Sequence, residues 1–109
     1  EPRDVPEGAY ETADALVFYA PDSAAARRCR QELLAVGLST KILPEAYSWH
    51  FAGTWDHMPE LLRANGPDLR QAFPRSAELL SRAVSLPIGV HLAADAPART
   101  RQAIEKALR

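Results

Sequence analysis

The run Ala15-Leu16-Val17-Phe18-Tyr19-Ala20 is short, continuous and apolar, with Asp14 before it and Pro21 after it. A run of that length bounded by a charge and a proline predicts a β-strand buried on both faces, and therefore a central strand with other elements packed around it. The next residues supply the cover. Asp22 or Ser23 can accept the first N–H groups of a helix, and Ala25, Cys29, Leu33 and Val36 then recur on one face. Gly37 takes a left-handed conformation cheaply and should end the helix, after which the chain returns as a strand around Ser39 to Leu43.

Further along, Tyr47, Trp49 and Phe51 alternate with Ser48, His50 and Ala52 at strand period before Gly53 breaks the pattern. A helix is predicted over Glu60 to Ala64, closed by Asn65-Gly66-Pro67. Pro74 suits another helix start, with Leu79, Leu80, Ala83 and Val84 inward, until Pro87 imposes an extended stretch through Leu92. Asp95 and Pro97 open a last amphipathic helix with Ile104, Ala107 and Leu108 as its inner face. Residues 1–13 read as a polar approach segment and 14–109 as one domain, because 109 residues suffice for a single hydrophobic core. The fold class expected is α/β in two layers of the α+β kind: a small, mostly antiparallel sheet packed by helices.

Charge narrows the partners. With 13 Lys+Arg against 14 Asp+Glu, the formal net charge of −1 provides no field that would gather nucleic acid or an anionic membrane. Cys29 is the single cysteine and no charged-then-apolar leader opens the sequence, so a reducing, cytoplasmic setting is expected. The start at Glu1, running through Pro2, Pro6 and Gly8, reads as a segment of something larger.

No Gly-rich phosphate loop, paired cysteine ligands, His-Glu helical zinc pair or nucleophile elbow is present, and polar and aromatic side chains are densest from Tyr47 to His57. For His50 two readings stand: an imidazole satisfied by a backbone carbonyl, or a donor reaching an anionic ligand from a segment that bends at Gly53. His57 either orients against Asp56 or caps the next helix. Trp49 and Trp55 serve as core or interface anchors or as walls of a pocket. A metal site from His50, His57 and His91 is disfavoured, because six intervening residues would set His50 and His57 two helical turns apart, too far to share an ion, and no cysteine accompanies them. Arg27, Arg28 and Arg30 read as a solvated helix face, and Arg75, after Phe73-Pro74, as the arginine nearest a ligand. Neither Lys41 nor Lys106 has the setting of a Schiff-base lysine.

Three patches together resemble the C-terminal small domain of the DegT/DnrJ/EryC1/StrS sugar aminotransferases, fold type I enzymes that use pyridoxal phosphate. They are the strand-helix-strand unit from Asp14 to Leu43; His50 within Ser48-Trp49-His50-Phe51, where the family often has Pro-x-His; and Phe73-Pro74-x-x-Ala77-Glu78 with Ser85-Leu86-Pro87-Ile88 and a closing helix after it. The run from His50 to His57 further resembles the subgroup that makes 8-amino-3,8-dideoxy-manno-octulosonate. Ser48 departs from the family proline. The resemblance implies that the cofactor and its lysine belong to a large domain of the same polypeptide outside these residues, that glutamate donates the amino group to a keto-sugar, and that the enzyme is a homodimer. His50 would contact substrate, with Trp49, Trp55 and His57 shaping the sugar pocket. Two alternatives stay open: a stand-alone ligand-binding or regulatory module, and a relative of the same architecture that dehydrates or regulates.

Overall fold

The computed structural model of the chain describes residues 4–10, 14–42 and 51–109. In chain order these form β1 (Ala15–Tyr19), α1 (Ser23–Ala35), β2 (Lys41–Ile42), a 3-10 turn (Ala52–Thr54), α2 (Pro59–Asn65), α3 (Leu69–Ala72), α4 (Pro74–Ser81), β3 (Ala83–Pro87) and α5 (Ala96–Ala107). The three strands make one antiparallel sheet in the order β1-β3-β2. The expected class, a small antiparallel sheet packed by helices, holds among the described residues.

Local chemistry explains the element ends. Asp22 Oδ1 accepts the Ala25 N–H at 2.7 Å and starts α1; Gly37, at φ 74°, ends it. Pro59, Pro74 and Pro97 each lie in a first helical turn, where a missing N–H costs nothing, and Gly66 at φ 87° closes α2.

The core lies between one sheet face and the pair α1 and α5. Val84, Leu86 and Ile42 of the sheet cluster with Ala25, Ala26, Cys29 and Leu33 of α1 and with Ala96, Ala103 and Ala107 of α5, and Phe18 packs alongside. Small side chains at the helix contact let the two backbones approach closely. Each helix also satisfies carbonyls at the other's end: Arg28 Nε donates to Ala107 O at 2.9 Å, and Arg99 donates to Val36 O at 2.7 Å. Lys106 reaches Glu32 at 2.6 Å between them.

Burial pushes the Cys29 thiol above its ordinary range, against a smaller opposing pull from Arg28. The thiolate is therefore scarce at neutral pH, and the residue is fully covered besides. A thiol reagent should label Cys29 at least ~10³-fold more slowly in buffer than in denaturant, tracking the unfolded fraction; rapid labelling in buffer would show that α1 and α5 do not pack as described.

The structure corrects several expectations. Among the described residues the run from Ala15 is not a central strand but an edge strand, with Leu16, Val17 and Tyr19 about half exposed. The central position belongs to β3, so Ala83 and Val84 leave the predicted helix; α4 stops at Ser81. Val84 pairs with Phe18 on one side and Ile42 on the other, and two-sided strand pairing outweighs the helical spacing of the preceding leucines. Pro87 ends this strand rather than opening an extended stretch to Leu92. In α5 the inner face is alanine, and Leu108 is exposed. Arg28 is not merely solvated, given its bond to Ala107. Residues 4–10 are exposed. Among the described residues no helix is long and apolar enough to cross a membrane.

Candidate functional site

Phe51 enters extended, and the chain then tightens into the 3-10 turn, held by Thr54 Oγ1 donating to Phe51 O at 2.8 Å. The ring of Phe51 folds back over Gly53. A Cβ built on Gly53 would lie 2.4 Å from two ring carbons and 3.1 Å from Leu69 O, so glycine is what lets the ring and α3 close on the turn. Phe73 meets Phe51 edge to face, 6.5 Å between centroids and 79° between planes. Phe51 and Leu69 are thus buried in a small cluster separate from the main core.

Two concave spaces flank this ring. One, of about 350 Å³, is lined by Phe51, Thr54, Arg70 and Ala77; the other, of about 370 Å³, runs between Tyr19, Phe51, Phe73, Ser76, Leu79 and Leu80. Apolar walls with a few polar groups at this size fit a small organic ligand. Asp68 sets the polar wall: Oδ1 accepts the Arg70 N–H at 3.1 Å and Oδ2 accepts from Gln71 at 2.7 Å, starting α3 and carrying Arg70 to the first space. The Arg70 guanidinium makes no hydrogen bond or ion pair among the described residues, which leaves its planar donor fork for a carboxylate or phosphate. At the second space Arg82 lies over the Tyr19 ring at 5.3 Å while its Nε donates to Glu78 at 2.6 Å.

Of the predicted site residues, Trp49 and His50 lie outside the described residues, as do Tyr47 and Ser48. Trp55 is half-buried and His57 exposed, both in the turn closed by Met58 N–H to Trp55 O at 2.9 Å. They sit one turn from the Phe51 cluster and line neither space. His57 does not cap α2, whose cap position is Met58 without a side-chain bond. Arg75 is exposed on α4 and lines neither space, whereas Arg70 lines the first. Spacing along the chain does not single out Arg70, Thr54, Tyr19 or Ser76. A signal for Arg70 exists in Asp68, a capping residue directly after the Asn65-Gly66-Pro67 break, which puts Arg70 on the opening turn of a helix. Among the described residues no three His, Cys, Asp or Glu side chains are grouped to hold a metal ion, and His57 and His91 are both exposed.

Set beside known proteins, the chain matches no family model, no curated protein and no solved structure.

Proposed function

We propose that this chain is the small domain of a pyridoxal phosphate-dependent sugar aminotransferase, forming one wall of a pocket that takes an acidic keto-sugar. The observation that carries the reading is the coincidence of motif and element: the first resembling patch makes β1, α1 and β2, and the third makes α4, β3 and the approach to α5. Arg70 beside the aromatic wall of Phe51 adds a partner for the carboxylate of an octulosonate-type substrate.

The described lysines do not fit the cofactor. Lys106 is held by Glu32 on the surface of the helix pair, and Lys41 is exposed on β2, whereas a Schiff-base lysine needs a desolvated pocket. On this reading the cofactor belongs to another domain of the polypeptide, and the residues here bind and orient the sugar.

Purified with pyridoxal phosphate, the polypeptide carrying this domain should show the absorbance of the bound cofactor and pass the amino group of glutamate to a keto-octulosonate. His50→Ala and Arg70→Ala should each lower kcat/KM for the keto-sugar roughly 10–100-fold, the loss of one charge-assisted hydrogen bond, with little change in thermal unfolding. A polypeptide that binds no pyridoxal phosphate overturns the assignment; unchanged turnover removes the mutated residue from the pocket.

A further inference from the structure

Among the described residues the outer edge of β1 has no strand beside it. Ala20 N–H donates to Arg82 O at 2.9 Å and Ile88 N–H donates to Asp14 O at 2.8 Å, at the two ends of the β1–β3 ladder. In an antiparallel ladder hydrogen-bonded pairs alternate with non-bonded ones, so residues 14, 16, 18 and 20 turn their backbone groups toward β3. Ala15, Val17 and Tyr19 therefore turn theirs outward, and among the described residues those N–H and C=O groups have no partner. Residues 15–19 include no charge, no proline and no glycine, the side-chain devices that keep an edge from pairing. Leu16, Val17 and Tyr19 stay about half exposed, so side chains on both sheet faces are available as well as the backbone.

We propose that this edge binds a second copy of the chain, β1 against β1 in antiparallel register about Val17, joining two three-stranded sheets into one continuous sheet. The groups that point outward set the register. A two-fold axis at Val17 makes Val17 a hydrogen-bonded pair with its own copy and makes Ala15 pair with Tyr19 of the other copy on each side, so every outward group finds a partner. Side chains agree with that register. On the open face the bulky Tyr19 meets the small Ala15, and on the helix face Leu16 meets Phe18, the kind of cross-strand apolar contact that stabilises sheets. The inference does not rest on the aminotransferase reading.

A strand edge buries less than the ~800 Å² per partner of a standard interface, so the dimer should be of micromolar strength. Sedimentation equilibrium of the chain at roughly 100 μM, well above such a dissociation constant, should give twice the monomer mass of 12.0 kDa. Val17→Pro removes an outward N–H and leaves the ladder to β3 intact; it should halve that mass with unchanged circular dichroism. Should that variant fail to fold, cysteine pairs decide. Val17→Cys brings two Cα atoms to about 5.5 Å across the axis, within disulfide range, and should cross-link under oxidation. Tyr19→Cys puts them about 14 Å apart, four residues along the strand, and should not. A monomeric wild type, a dimer that survives Val17→Pro, or cross-linking through position 19 in place of 17 would each overturn the proposal.

Discussion

Leu33→Ala should remove about 2–5 kcal/mol of stability, while Leu34→Ala, one residue along the same helix, should cost less than about 1 kcal/mol. The two leucines share a chemistry and a helix and differ in where they point. Leu33 is fully buried in the cluster of Cys29, Ile42, Val84 and the alanines of α5; Leu34 is 47% exposed. Truncating Leu33 loses its transfer free energy and leaves a cavity that the surrounding alanines cannot fill, because their side chains have no length with which to move into it. Against a total of about 5–15 kcal/mol for a domain, that loss leaves the chain marginal. Urea unfolding of both variants checks the contrast, and equal costs would mean that α1 is rotated from the face described.

The second large effect is expected at Gly53. A methyl group there would meet the Phe51 ring at 2.4 Å and Leu69 O at 3.1 Å, and the ring is itself packed, with Phe51 4% exposed. Gly53→Ala should therefore expel the ring or lift α3 from the turn, costing about 1–3 kcal/mol as other overpacked sites do. For a chain of this size that corresponds to a fall in Tm of roughly 4–8 °C per kcal/mol. Since Phe51 walls both concave spaces, ligand binding at Arg70 should fall with it. Gly89→Ala is the control: nothing lies within 4 Å of its added methyl and its φ is ordinary, so Tm should move by no more than about a degree or two. Equal behaviour of the two variants would rule out the close packing of Phe51 on Gly53.

The candidate site is legible in part from the sequence. The density of aromatic and polar residues from Tyr47 to His57 points to the neighbourhood of the Phe51 cluster, and Gly53 marks the bend. Arg70 escapes such a reading because its relevance depends on α3 folding back against a turn far earlier in the chain, and no spacing encodes that return. Arg75 has the more suggestive sequence setting, directly after Phe73-Pro74, but α4 turns its first residues to solvent.

Helix ends are written locally. Asp22, Gly37, Pro59, Gly66, Pro74 and Pro97 act within one turn of themselves through capping bonds, fixed φ or the cheap left-handed conformation of glycine, and each lies where a helix begins or ends. Strand rank is not. An apolar run such as Ala15 to Ala20 has the same composition at a sheet's edge as at its centre, and Ala83-Val84 continues a helical spacing while also suiting a strand. Only the tertiary structure decided both, by inserting β3 between β1 and β2, because backbone pairing between distant segments outweighs the small preferences of single residues.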